Sequence, residues 1–405
     1  MDALRARRTI SLDMKRALPL LFVAACVAPP TSDAPPATGA AGESFVEAPM
    51  SSASAREPLR ELYERDPSLW PAPTLDAGIP HRELALVPAR AATTDPVQRA
   101  REELGSMLYF DARISGNGQL ACASCHDAEL GFGDGRAASF GEGFLALPRN
   151  APTLLNASLR TTWFWDGRAS SLQAQALAVF TNPREMHTSA EDVVAKLASS
   201  HGYRGRFAAA FGDETVSIER TLDALAAFES TLVSDGSSAF DAFLEGRHDA
   251  LSDSAVRGLH LFRTSARCLN CHYGPLLTDE QFHNLGLTYY GRELQDLGRF
   301  EVTKDPRDVG RFRTPSLRNL GRTGPYMHNG LFELEGVIGM YSAGMPRIVP
   351  KPEQVGDPLF PVKSPLIQAL DLTRAEKSDL LEFLNSLTER KRRLRAPALP
   401  ALFDV

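Results

Sequence analysis

The chain has 405 residues, of which 23% are charged, and a net charge of −6 at neutral pH. This mildly acidic balance disfavours nucleic acid and anionic lipid surfaces as partners, because both carry negative charge. A hydrophobic fraction of 43% is typical of a globular protein, and the length allows two domains of ordinary size.

The N-terminus has the pattern of an export signal. Residues 1–16 carry five basic side chains, and residues 17–25 form an apolar run too short to span a membrane. The small residues before Cys26 resemble a bacterial lipoprotein cleavage box, which predicts a periplasmic protein that is lipid-anchored through Cys26. The alternative is an ordinary signal peptide with an incidental cysteine. Residues 26–57, rich in Pro, Ala and Ser without apolar periodicity, are predicted to be a disordered tether.

The rest of the chain is predicted to be mainly helical. Segments with helical apolar spacing include residues 96–109, 190–199, 218–232 and 373–387, and strand-like alternation is scarce. The predicted fold class is therefore mainly α. We place an N-terminal domain at residues 58–245 and a C-terminal domain at residues 246–395.

Two Cys-x-x-Cys-His pentapeptides stand about one domain's length apart. Cys122, Cys125 and His126 form the first, and Cys268, Cys271 and His272 form the second. Two thiols at this spacing can each bond a vinyl group of one porphyrin, and the adjacent imidazole then ligates the iron. A redox dithiol or half of a zinc site also pairs cysteines, but neither needs the histidine. The motifs thus predict two c-type haems with His126 and His272 as iron ligands.

An internal repeat surrounds these motifs. The matching positions, in order, are Gly105 and Gly258 before the motifs, then Pro152 and Pro315, then Gly167 and Gly330, fifteen residues past each proline. This spacing predicts two duplicated cytochrome c-like haem modules.

The repeat allows the two iron sites to be compared. Tyr341 stands seven residues after Leu334, and Val179 stands seven residues after the matching Leu172. If both helices cover their haems, a phenolate can ligate the second iron, whereas an apolar group leaves the first iron open. Met340 is the rival ligand, and a tyrosine buried in the core or lying on the helix surface is the alternative interpretation.

Residues near the predicted open site suit peroxide chemistry. Cleavage of an O–O bond needs a group that orients the peroxide and an acid–base group that moves a proton. Gln175 lies one helical turn before Val179, and Pro183 is expected to end this helix so that Glu185 can fold back over the site. On residue type alone, exposed polar residues on a helix face would be the favoured interpretation of both.

Several further motifs together resemble the bacterial di-haem cytochrome c peroxidase and MauG superfamily from about residue 98 to residue 390. Besides the two pentapeptides they are Arg149-Asn150-Ala151-Pro152-Thr153, Phe164-Trp165-Asp166-Gly167-Arg168-Ala169, Gln175-Ala176, Asn182-Pro183-Arg184-Glu185-Met186 and Pro325-Tyr326-Met327-His328-Asn329-Gly330. The resemblance implies a peroxidatic N-terminal haem and an electron-transfer C-terminal haem. It assigns the family's glutamine and glutamate to Gln175 and Glu185, and its inter-haem tryptophan to Trp165, for which a core position is the alternative.

The resemblance also implies a calcium ion between the domains. The matching positions are Asn150, Thr323 and Pro325, which would supply a side-chain oxygen and backbone carbonyls. Without the resemblance, Asn150 could equally be a loop residue that bonds its own backbone.

Two positions depart from the peroxidase pattern. Glu142 stands where many members carry a loop histidine that blocks the oxidised peroxidatic iron, and Tyr341 stands where they carry methionine. A methionine thioether favours the ferrous state, whereas a phenolate favours the ferric and higher states. Both changes resemble MauG and the related MbnH-type enzymes, in which the first haem is open and two ferryl-level haems share oxidising equivalents.

These features predict a di-haem peroxidase that reduces hydrogen peroxide at the first haem. Electrons would enter through the second haem and Trp165 from a small cytochrome c, a cupredoxin or a side chain of a protein substrate. The alternatives are a MauG-like oxidase that acts on a partner protein and a non-catalytic di-haem electron carrier. An open site flanked by Gln175 and Glu185 disfavours the carrier.

Overall fold

The computed structural model describes residues 58–402. The predicted leader, Cys26 and the tether lie outside this part of the chain. Within it, no helix combines the length and the apolar character needed to cross a membrane.

Helices dominate the described residues, as the sequence predicts. They are α1 (Pro58–Tyr63), α2 (Pro96–Phe110), α3 (Leu172–Thr181), α4 (Ala190–Ala198), α5 (His201–Phe211), α6 (Ile218–Glu229), α7 (Ala239–Leu244), α8 (Asp253–Arg263), α9 (Phe300–Thr303), α10 (Leu334–Ser342) and α11 (Arg374–Ser386). Between residues 58 and 402 the strands form one two-stranded antiparallel sheet, β1 (Phe282–His283) with β2 (Phe312–Arg313). Single 3-10 turns at Cys122–Ser124 and Cys268–Asn270 begin at the first cysteine of each motif, and the second cysteine directly follows each turn.

Side-chain caps explain where the predicted helices begin. The Asp95 carboxylate accepts a hydrogen bond from the backbone N–H of Val97 before α2, and Thr373 forms a capping box with Glu376 before α11. The predicted helix at 218–232 ends three residues early, at the end of α6. There the N–H groups of Thr231 and Leu232 donate to carbonyls three residues back, which is the tighter turn that often closes a helix.

Two hydrophobic cores are found, and each adjoins one motif. The first is built largely from α2 to α6 and includes Leu108, Phe180 and Leu225. The second is built largely from α8, α10 and α11 and includes Phe262 and Phe383. Residues 58–402 lie within one compact unit, so the boundaries 58–245 and 246–395 stay a prediction.

The same close helix contact supports both motifs. A β-carbon at Gly105 in α2 would lie 1.9 Å from the carbonyl oxygen of Ala224 in α6, and one at Gly258 in α8 would lie 2.0 Å from that of Asp379 in α11. Backbones can approach this closely only where no side chain intervenes. The two glycines therefore fix how the helix before each motif packs on a later helix.

The N-terminal segment at residues 58–85 packs on the second core, although it precedes the first motif. Tyr63, Trp70 and Leu84 are buried there. The Arg263 guanidinium donates to the carbonyl of Pro71 at 2.7 Å, and the N–H of Thr74 donates back to the carbonyl of Arg263 at 2.9 Å.

The C-terminal tail, in turn, packs on the first core, although it follows the second motif. Leu402 is buried in the first core, where the Ser199 hydroxyl donates to its carbonyl at 2.9 Å. The Arg113 guanidinium donates to the carbonyl of Pro400, also at 2.9 Å. Each end of the described chain thus completes the core formed mainly by the opposite half.

Candidate active site

The first motif lines a cavity beside α3. The lining residues include Cys122, Cys125, His126, Gln175, Val179 and Glu185. His126 Nδ1 lies 2.9 Å from the carbonyl oxygen of Phe132, and because a carbonyl can only accept, Nδ1 carries the proton. Burial lowers the pKa of His126 and favours the neutral imidazole, whose Nε2 is then free to bind a metal.

The second motif repeats this arrangement beside α10. Its cavity is lined by residues that include Cys268, Cys271, His272, Ile338 and Tyr341. His272 Nδ1 lies 2.9 Å from the carbonyl oxygen of Leu277, and burial lowers the pKa of His272. Such a backbone acceptor fixes the orientation of a ligating imidazole.

The donor sets fit covalent c-type haem. All four motif cysteines are free thiols, and each pair lines the same cavity as its own histidine. Two thiols for the vinyl groups and one neutral imidazole for the iron are what this attachment requires.

Helix α3 brings two predicted residues to the first cavity. The Ser171 hydroxyl accepts a hydrogen bond from the N–H of Ala174 and starts the helix, which ends at Thr181 before Pro183. Gln175 and Val179 lie one turn apart, and both line the cavity. Met186 also lines it, but this side chain is 3% exposed and packs within the first hydrophobic core.

Glu185 lines the first cavity with an unpaired carboxylate oxygen. Its Oε2 is buried without a hydrogen-bond partner, and burial raises its pKa against the opposing effects of Arg168 and Asn182. Its backbone carbonyl accepts the N–H of Glu142 at 3.0 Å. Glu142 itself is not among the residues that line this cavity, so the loop in which it stands supports Glu185 through the backbone.

Helix α10 brings Tyr341 to the second cavity, whereas Met340 is not among the lining residues. Burial raises the pKa of Tyr341, so its phenol is neutral unless a nearby cation stabilises the phenolate. An iron ion would do this.

Trp165 lines both cavities. Its indole N–H donates to the carbonyl of Asn150 at 2.9 Å, and its ring centroid lies 6.4 Å from that of His328 in an edge-on arrangement. The indole therefore lies where the two cavities approach each other and is held there by the backbone.

The three residues predicted to bind calcium share the second cavity. Asn150, Thr323 and Pro325 all line it. The Asn150 side-chain N–H donates to the carbonyl of Arg136 at 2.8 Å, which leaves its Oδ1 for a cation. The calcium ion itself stays a prediction.

Three buried residues at the site escaped the sequence prediction. Glu229 on α6 lines the first cavity with Oε2 unpaired, and burial raises its pKa to about 8. Arg160 and His328 are buried and line both cavities. His328 stands in a recognised motif, but nothing in the local sequence around Glu229 or Arg160 reveals that the side chain is buried.

Comparison with known proteins places the chain among di-haem proteins. The family model for di-haem cytochrome c peroxidase matches residues 99–249. The methylamine utilization protein MauG of Methylophilus methylotrophus is 34% identical over 86% of this chain and 94% of its own length. The cytochrome c551 peroxidase of Nitrosomonas europaea is 39% identical over 63% of this chain and 75% of its own length. The crystal structure of a MauG-like protein associated with microbial copper homeostasis matches with a TM-score of 0.66 and 34% identity, covering 78% of this chain and 96% of that one.

Proposed function

Because this chain belongs to the di-haem cytochrome c peroxidase and MauG family, we propose that it reduces hydrogen peroxide at the first cavity with electrons delivered through the second. The observation that carries this proposal is the buried, unpaired carboxylate of Glu185 in the same cavity as His126 and Gln175. Haem, once attached, supplies the iron that transfers two electrons to peroxide as two protons convert it to water.

Glu185 is suited to move the proton. Its raised pKa makes it a better base than an exposed glutamate, and its Oε2 has no competing hydrogen bond. Its Oε2 would accept a proton from one peroxide oxygen and return it to the other, which leaves as water. Gln175 orients the peroxide through its side-chain amide, and Val179 keeps the cavity beside them apolar.

Trp165 offers the route for electrons between the cavities, since it lines both. The electron source is a small cytochrome c, a cupredoxin or an oxidisable side chain of a protein substrate. The acidic net charge of −6 is compatible with a basic donor.

A MauG-like oxidation of a partner protein is the second candidate function. The observation that favours it is Tyr341, which lines the second cavity where peroxidases of the family carry methionine. In this version the phenolate of Tyr341 would hold the second iron, and Glu142, which does not line the first cavity, would leave the first iron open.

We extend the proposal to the location of the protein, its calcium site and its internal duplication. The protein is exported to the periplasm and anchored through Cys26, and calcium binds at Asn150, Thr323 and Pro325. The halves are duplicated haem modules, and the equivalent contacts of Gly105 and Gly258 support this duplication.

Electron paramagnetic resonance of the resting, diferric protein tests the proposal. We expect one high-spin and one low-spin haem, and a reaction with peroxide that needs no prior reduction. Two low-spin haems that react only after one electron is added would instead support a peroxidase of the type blocked by a loop histidine. No peroxide reaction in either state would contradict both enzymatic functions and favour an electron carrier.

A further inference from the structure

A buried arginine without a carboxylate partner lies at the junction of the two cavities. Arg160 is 8% exposed and lines both. Its Nη2 donates to the carbonyls of Thr153 at 3.2 Å and Leu155 at 3.4 Å, while its Nε is buried without a hydrogen-bond partner. Among the ion pairs found between residues 58 and 402, none involves Arg160.

The ion pair beside Arg160 does not neutralise its charge. Arg313 is 3% exposed and pairs with Glu280 at 2.9 Å, and Glu280 also accepts the N–H of Thr161 at 3.3 Å. The carboxylate of Glu280 is thus already paired with Arg313. Burial and the neighbouring Arg313 lower the pKa of Arg160 to about 9, against the opposing effect of Glu280. A buried guanidinium is stable only with an anion and satisfied hydrogen bonds, so the protein part of this site lacks one negative charge.

A second unpaired group lies at the same junction. His328 is 4% exposed, stacks on Phe312 with ring centroids 3.7 Å apart, and has its Nε2 buried without a partner. It also lines both cavities. Two side chains more than nine-tenths buried, each with an unpaired nitrogen, therefore adjoin the space between the motifs.

We propose that Arg160 is the counter-ion of a haem propionate at this junction, with His328 as an additional hydrogen-bond donor. The inference rests on the proposed function only in that the cavities hold haem. A haem bonded to cysteine through its vinyl edge carries its two carboxylates at the opposite edge. A planar guanidinium matches a carboxylate in shape and charge, and it stays protonated once the anion is present.

The holoprotein provides the test, in wild type and in the variants Arg160→Gln and Arg160→Lys. The control is Arg184→Gln, which removes the same charge from an exposed arginine that lines the first cavity. Loss of a nearby positive charge favours the ferric state. In Arg160→Gln we therefore expect the equilibrium constant for reduction of at least one haem to fall about tenfold, which is about 59 mV for a one-electron couple. The haem potentials of the Arg184→Gln control should change much less.

Resonance Raman spectra test the contact itself, because the propionate bending band depends on hydrogen bonding to the carboxylate. This band should shift in both Arg160 variants and stay in place in the control. Arg160→Lys keeps the charge but loses the planar fork, so it should shift the band with little change in potential. This variant also keeps the test available if Arg160→Gln fails to fold.

A dissolved anion is the other source of a negative charge. In that case the wild-type potentials would change with phosphate concentration at constant ionic strength, and the Raman band would not respond to Arg160. Either result, or potentials in Arg160→Gln equal to those of the control, would overturn the proposal. Peroxide turnover is not among the readouts, so a shifted potential without peroxidase activity would remove the proposed function and leave this inference standing.

Discussion

At the scale of single residues, the environment of Glu185 determines what its carboxylate can do. Replacing Glu185 with Gln keeps the shape and removes the base, and we expect the reaction with peroxide to slow by roughly 100-fold or more. Stopped-flow mixing of the diferric holoprotein with peroxide measures this rate.

A matched control is available in the same cavity. Glu301 also lines it but is exposed and pairs with Lys304 at 3.2 Å, so Glu301→Gln should react at the wild-type rate. Equal rates in the two variants would remove Glu185 from the proposed mechanism.

The raised pKa of Glu185 predicts how the rate of reaction with peroxide depends on pH. The carboxylate is the form that accepts a proton, so the rate should fall as pH decreases through the pKa. Because burial raises this pKa, the midpoint should lie above the ordinary glutamate value of 4.5. A pH series of stopped-flow rates checks the midpoint, and persistence of the same inflection in Glu185→Gln would assign it to another group.

Tyr341 carries a prediction for the second haem. Replacing it with Met exchanges an anionic hard ligand for a neutral soft one, so the reduction potential of that haem should rise. Spectroelectrochemical titration measures the change, and Met340→Leu is the control because Met340 is not among the residues lining the cavity. A change of potential in Met340→Leu, with none in Tyr341→Met, would identify Met340 as the ligand.

At the scale of helices, the glycine contacts predict that a Gly→Ala substitution changes the free energy of unfolding in opposite directions at two positions. Gly105→Ala would force a β-carbon against the Ala224 carbonyl, and we expect a loss of about 1–3 kcal/mol in the free energy of unfolding. Gly205→Ala in α5 meets nothing within 4 Å and should instead stabilise by roughly 0.5–1 kcal/mol. Thermal unfolding of the two holoproteins checks both signs, and a neutral Gly105→Ala would show that the helices can separate without cost.

Helix starts could be predicted from the sequence, because Pro96 and the cap residues Asp95 and Thr373 act locally. The helix expected before Pro183 placed Gln175 near Val179, and in the structure both residues and Glu185 line the cavity beside the first motif. Helix ends were less predictable. The α6 periodicity continues to Leu232, whereas the backbone tightens after Glu229.

At the scale of the whole molecule, contacts between distant segments could not be predicted. Trp70 and Leu402 are both buried, but an apolar side chain does not by itself indicate which core it will join, since both cores are lined by similar apolar groups. The burial of Arg160 could not be predicted for the same reason, because it depends on how the two cavities lie relative to each other.

The C-terminal tail carries a prediction of its own. Leu402→Ala removes a side chain that is 7% exposed in the first core, and the free energy of unfolding should fall by about 2 kcal/mol or more. Leu69→Ala, at a position 66% exposed, is the control and should be nearly neutral. Hydrogen exchange should locate the loss of protection in α4 and α5, next to the tail, and a loss spread equally over α8 and α11 would contradict the assignment of the tail to the first core.

Because each end of the described chain packs on the core of the opposite half, the two cores become complete in a definite order during synthesis. A ribosome produces the N-terminal segment first, yet residues 58–85 have no core to join until α8 and α11 have been made. The first core, conversely, is completed by Leu402, which follows α11 in the chain. Cys122 and Cys125 are therefore synthesised long before Leu402 can complete the core beside them.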